Sequence, residues 1–157
     1  MPHPTLESTI AFAANAHVAQ PDKAKQPYIL HPLRVMLDPS LRTVEERITA
    51  VLHDVMEDCG VTPKLLHRLG YSDAVVEALG FLTKREEEKG KVAGGAGYDA
   101  FIERVSQGPE LARKVKLADL RDNADLSRLE RAGIKLGEAD FKRQERYKRA
   151  MEKLEGR

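Results

Sequence analysis

Apolar positions along the chain recur at intervals of three and four rather than two. Ile10, Ala13, Ala14 and His17 share the spacing of one helix face, so helices are expected and strands are not. A second helix is expected to begin near Pro32, since proline is tolerated where no backbone N–H partner is lost, and to end before Pro39. Thr43-Val44-Glu45-Glu46 has the form of a capping box, in which hydroxyl and carboxylate satisfy orphan backbone donors reciprocally. It opens a third helix expected to continue to about Asp58. Thr62-Pro63 opens a fourth that Gly70 closes, Ser72 a fifth that runs to about Leu82, and residues 98–105 supply a sixth. Pro109 opens a seventh, which carries Leu111, Val115 and Leu120 toward a core and ends near Asn123. A short helix and a long one over 138–154 finish the chain. The expected fold class is all-α, a single-domain helical bundle over 1–157 with C-terminal helices at about 126–154. Phe141, Tyr147, Met151 and Leu154 give the last helix an amphipathic pattern that is expected to pack on the domain. Pairing with a second subunit is the alternative, so monomer and homodimer both stand.

With 157 residues, the chain is long enough to bury roughly two-thirds of the surface its unfolded form exposes. Its 26 basic and 25 acidic side chains leave a net charge of +1 with both signs interspersed, which argues against a partner such as a nucleic acid polymer. Apolar runs such as Ala11-Phe12-Ala13-Ala14 fall far short of the roughly 20 residues of a membrane span. The first residues lack a basic stretch followed by an apolar one, and a cytoplasmic location is the expectation. The single cysteine, Cys59, follows Glu57 and Asp58, which disfavour a thiolate, and is read as structural. Between Glu86 and Gly97, charge gives way to glycine, which reads as a mobile surface loop, with a lid over a pocket as the alternative for residues 90–97.

Within the third helix, His53, Asp54, Glu57 and Asp58 stand at i, i+1, i+4 and i+5, along one stripe. Three carboxylates and an imidazole, with no lysine or arginine among them, repel one another, and a divalent cation resolves that repulsion. A His-Asp dipeptide alone is common on helix surfaces. Here it is accompanied by Pro27-Tyr28-Ile29-Leu30-His31-Pro32 upstream and Val115-Lys116-Leu117-Ala118-Asp119-Leu120-Arg121-Asp122-Asn123 downstream.

In the order His31, His53-Asp54, Asp119, the chain resembles the HD-domain superfamily of metal-dependent phosphohydrolases. Over about residues 10–123 it is similar to the hydrolase domain of the RelA/SpoT family and to its stand-alone small alarmone hydrolases. The resemblance implies an HD-type helical fold and removal of the 3′-pyrophosphate of guanosine tetra- or pentaphosphate, usually with manganese; Fe²⁺ is the other ion suited to mixed nitrogen and oxygen ligands. By position it implies metal ligands His31, His53, Asp54 and Asp119, the water-handling carboxylates Glu57 and Asp58, and a nucleotide contact at Asn123. Lys23, Tyr28 and Lys116 complete the candidate substrate contacts, Lys116 being equally readable as an ordinary surface lysine. His17 also falls where the family carries a histidine, though its apolar helix face favours a packed core residue. Where the family stacks an arginine on the guanine base, this chain has Asp22, which cannot serve that way. Another nucleotide is therefore the alternative substrate, such as a nucleoside monophosphate or the 2′-phosphate of NADPH. A nucleotide-binding module without turnover is the alternative of a different class.

Overall fold

Thr5 opens α1 (Leu6–Ala16) by accepting from the Ser8 N–H, while the Ser8 hydroxyl accepts from the Thr5 N–H. The computed structural model describes residues 2–90 and 95–156, and these are all-α: the β-type pairing among them is an isolated bridge between Pro21 and Pro27. α2 (Leu30–Met36) starts two residues earlier than expected. Turn bonds from Leu30 N to Pro27 O and His31 N to Tyr28 O wind the chain before Pro32, which still falls in the first turn, where its missing N–H has no partner to lose.

The capping box forms as expected: Thr43 accepts from Glu46 N, and Glu46 accepts from Thr43 N and Arg42 N. The helix it opens is not continuous to Asp58. α3 (Val44–Leu52) stops at His53, and α4 (Val55–Cys59) restarts after Asp54, whose φ of −108° and ψ of −3° lie at the margin of the right-handed helical region. His53 Nδ1 turns back onto the Ala50 carbonyl at 2.7 Å, a side-chain bond at the helix end that the apolar spacing does not encode. Gly60 then ends α4 in the left-handed conformation, with φ of 68°.

α5 (Pro63–Arg68), α6 (Asp73–Leu82), α7 (Ala96–Ser106), α8 (Glu110–Ala124), α9 (Ser127–Arg131) and α10 (Glu138–Glu155) follow near the expected places. A 3₁₀ turn (Glu86–Glu88) precedes the glycine-rich stretch, whose residues 91–94 lie outside the described residues, and with them the loop expectation.

α8 is the element on which both apolar clusters rest. Ala112, Val115 and Ala118 join Val35, Val51, Leu52, Val55 and Leu79 from α2, α3, α4 and α6 in the larger cluster. Leu120 joins Phe101, Ile102, Val105, Ala150 and Leu154 in the smaller one, through which α10 packs on α7 and α8 as expected. Each fully buried leucine or valine contributes about 1.5–3 kcal/mol relative to exposure. These layers therefore hold α8 rigidly against the α3/α4 break. Among the described residues, no helix is long and apolar enough to cross a membrane.

Candidate metal centre

Three elements converge at the break between α3 and α4. α2 brings His31, the break itself His53 and Asp54, and the last turns of α8 Asp119; His31, His53 and Asp119 are buried. His53 Nδ1 donates to the Ala50 carbonyl, which can only accept, so its Nε2 carries the lone pair. His31 Nδ1 donates to Asp122 Oδ2 at 2.6 Å, which likewise leaves its Nε2 facing inward. That nitrogen lies 2.9 Å from Asp119 Oδ1 and 3.8 Å from Asp54 Oδ2, while His53 Nε2 lies 3.0 Å from Asp54 Oδ2 and 3.3 Å from Asp119 Oδ1.

Two imidazole lone pairs thus face two carboxylate oxygens, an arrangement that needs positive charge at its centre. His53 Nε2 is buried without a hydrogen-bond partner among the described residues. One donor atom each from His31, His53 and Asp54 falls within 4.8 Å of the others, and Asp119 Oδ1 stands beside them. This donor set fits a divalent cation: neutral imidazole nitrogen and carboxylate oxygen, each oriented by an outer partner. Tyr28 donates to Asp54 Oδ2 at 2.5 Å, Lys116 to Asp119 Oδ2 at 2.7 Å, and Asn123 to Asp119 Oδ1 at 3.0 Å.

The electrostatics agree. Burial works against a charged His31 or His53, yet the hydrogen bonds a charged His31 donates to Asp119 and Asp122, and the charges of Asp54 and Asp119 at His53, push both imidazoles above their usual range. Burial equally opposes ionisation of Asp54 and Asp119, but His53 at the former and Lys116 and His53 at the latter hold both carboxyls down. A field that draws protons onto buried imidazoles draws a divalent cation for the same reason.

Two cavities meet here, both lined by Tyr28, His31 and Asn123. The smaller, about 160 Å³, contains His53, Asp54 and Asp119, and Glu57 joins its wall by accepting from Lys84 N at 2.9 Å. The larger, about 380 Å³, is lined by Lys23, Asp22 and Arg128. The expected acidic pair is divided. Asp58 is exposed outside both cavities and accepts from Gln20, which also bonds His17; burial, Asp54 and Glu57 together raise its pKa. His17 is a packed residue, between the Tyr28 ring at 5.0 Å and Cys59 Sγ at 3.3 Å, and is not among the converging donors. The half-buried Cys59 thiol is pushed up by burial, Asp58 and Asp54, as a structural cysteine requires.

Lys116 is not a solvated surface lysine: its ammonium sits on Asp119 and 5.0 Å from the Phe101 ring centre. Asp22 accepts from Ala24 N and Gln26 N at 2.8 and 2.9 Å, which shapes the turn that places Lys25 at φ of 59°. Its second oxygen lies 3.6 Å from Arg128, so the guanidinium in this cavity comes from α9. Sequence reasoning missed Asp122 and Arg34, the latter gripping Asp122 through Nε at 2.8 Å and Nη2 at 3.1 Å. Burial opposes the Asp122 charge, but His31 and Arg34 outweigh it and hold the carboxyl near about 2. The available signal was spacing: Arg34 is i+3 from His31, and Asp122 is i+3 from Asp119.

No family model matches the chain. Two curated relatives, from Vibrio cholerae serotype O1 and Aquifex aeolicus, are both named guanosine-3′,5′-bis(diphosphate) 3′-pyrophosphohydrolase. Each is 30% identical, over 119 and 121 residues that make up 74% and 75% of this chain. The chain spans 15% and 17% of their lengths. Among solved structures, a metazoan ortholog of SpoT that hydrolyzes ppGpp aligns with a TM-score of 0.73 and 20% identity, covering 98% of this chain and 85% of that one. The chain thus shares its all-α fold with a SpoT ortholog and is similar in sequence to a stretch of two RelA/SpoT-type hydrolases, as its three motif blocks imply.

Proposed function

We propose that the chain is a metal-dependent phosphohydrolase that removes the 3′-pyrophosphate of guanosine tetra- or pentaphosphate, with His31, His53, Asp54 and Asp119 as ligands of one Mn²⁺. The observation that carries this reading is the pair of fixed imidazole lone pairs aimed at two carboxylate oxygens beside a cavity. The similarity to enzymes of that name supports it. When bound, the ion supplies Lewis acidity that acidifies water and offsets phosphoryl charge.

The chain's own residues do the rest. Glu57, held by the Lys84 N–H against the cavity wall, accepts the proton of the attacking water. Asp58 acts from outside the cavity through its negative charge. Tyr28 and Asn123 hold the ligand carboxylates and border both cavities, so they set the ribose between the base side and the phosphate side. Water is consumed, pyrophosphate leaves, and the 3′-oxygen takes up a proton.

A second reading keeps the metal chemistry and changes the nucleotide. Asp22 spends one oxygen on its own turn and aims the other at Arg128, so the base-side cavity differs from one with a stacking arginine at that position. Turnover of guanosine tetraphosphate, a nucleoside monophosphate and NADPH by Mn²⁺-loaded wild type, Asp54→Ala and Glu57→Gln tests both. Activity on guanosine tetraphosphate alone, lost in the variants, is expected. Equal rates in all three proteins reject the mechanism, and activity confined to another nucleotide selects the second reading.

A further inference from the structure

The lining of the smaller cavity is of two unlike kinds. Besides the carboxylates it includes Lys84, two residues past the end of α6 and bonded through its backbone N–H to Glu57, with Tyr98 from α7 and Arg146 from α10. Lys116 also lines this cavity, but Asp119 neutralises it. Neither Lys84 nor Arg146 forms an ion pair with a carboxylate among the described residues. Arg146 Nε and the Tyr98 hydroxyl are buried without hydrogen-bond partners among the described residues.

Aromatic faces hold these cations instead. Lys84 Nζ lies 5.8 Å from the ring centres of Tyr98 and Phe101, and the Arg146 guanidinium lies 4.6 Å from that of Tyr98 and 5.8 Å from that of Tyr147. A ring face positions a cation without cancelling its charge, whereas a carboxylate would do both. The result is two positive groups held on ring faces and two buried donors, Arg146 Nε and the Tyr98 hydroxyl, that lack an acceptor among the described residues, in the same cavity as the candidate ligands. Buried donors of this kind are ordinarily paired, and the acceptor that fits two cations and a hydroxyl is an oxyanion with several oxygens.

We propose that Lys84, Tyr98 and Arg146 form a phosphate-binding wall that receives the pyrophosphate end of the substrate and holds it as it leaves. This rests on the reading of the site as a phosphohydrolase and adds the residues that bind the departing group. It also sets a direction for the nucleotide: phosphate toward α7 and α10, base toward Asp22 and Arg128.

The test is calorimetric titration of inorganic phosphate, and separately of inorganic pyrophosphate, into Mn²⁺-loaded wild type, Tyr98→Phe, Lys84→Met and Arg146→Met, with nucleotide turnover measured alongside. Tyr98→Phe keeps the ring and its cation contacts and removes only the hydroxyl, so its folding is not at issue, and melting temperatures check the other two. Expected are roughly tenfold weaker binding for Tyr98→Phe, more for either cation variant, and partial recovery in Arg146→Lys. Pyrophosphate should lose more than phosphate, which separates a diphosphate site from a monophosphate site. Wild-type binding of both anions in all folded variants, with turnover intact, overturns the wall and leaves the proposed function standing. Weakened anion binding in a protein that turns over no nucleotide upholds the wall and rejects the function.

Discussion

The two walls of the smaller cavity are built on opposite plans. Each candidate ligand is oriented by an outer partner: His31 by Asp122, His53 by Ala50, Asp54 by Tyr28, Asp119 by Lys116 and Asn123. Among the other lining residues, Lys84 and Arg146 lie against rings, and the Tyr98 hydroxyl has no partner among the described residues. The difference is the one that two ligands of opposite charge, as proposed, would require. Orientation by outer partners suits a cation whose donors must be placed in advance, and unneutralised charge suits an anion that arrives with its own acceptors.

Removing the ligand wall should have the largest effect. Asp54→Ala and His53→Ala should abolish both turnover and Mn²⁺ binding, measured by metal titration; retained binding in either would detach the dyad from the site. Next, Asp122→Asn keeps the size of the side chain but weakens its hold on His31 Nδ1–H. It should cost about 10–100-fold in metal affinity or turnover, with the fold unchanged by circular dichroism. A change confined to stability would reduce Asp122 to an Arg34 partner. Saturation with Mn²⁺ should also stabilise the protein by about 2.7 kcal/mol at one hundred times the dissociation constant, seen as a melting shift that a chelator reverses.

The smallest effect is a control away from both walls. Glu46 closes the α3 cap and pairs with Lys114 at 2.8 Å; that hydrogen bond, helped by the Thr43 and Arg42 N–H groups, holds its carboxyl near about 2. Because this lies below the unfolded value near 4.3, the contribution is complete above about pH 5 and fades as pH falls toward 2. Lys114→Met should therefore narrow the loss of stability on acidification by less than about 1 kcal/mol, the scale of an exposed ion pair, and leave turnover untouched. A turnover defect in that variant would tie the far end of α3 to the site.

How far the sequence could be read depended on whether a feature is local. The Thr43–Glu46 cap, the Pro63 start of α5 and the Gly70 stop are decided by neighbours in the chain, and each lies where its residues place it. The four expected ligands were legible from the order of the motif blocks, and they converge. The helix break at His53-Asp54 was not, because a continuous apolar spacing runs through it and a single side-chain bond to Ala50 accompanies the change of direction. Glu57 and Asp58 look equivalent on a helical wheel, but the separate turn of α4 sends one to the cavity and the other to Gln20. Asp122, Arg34, Lys84 and Arg146 do not stand out in the sequence, because their partners are set only when α2, α8 and α10 are packed together. Their proposed roles rest on long-range contacts that no local pattern encodes.

The most direct test of the whole account is the stoichiometry of Mn²⁺ on the wild-type protein and on Asp119→Asn, counted by metal analysis after equilibrium dialysis. One ion per wild-type chain and none on the variant is the predicted result. An unchanged count on Asp119→Asn, or no ion on wild type, would contradict the claim that α2, the α3/α4 break and α8 meet at a single cation.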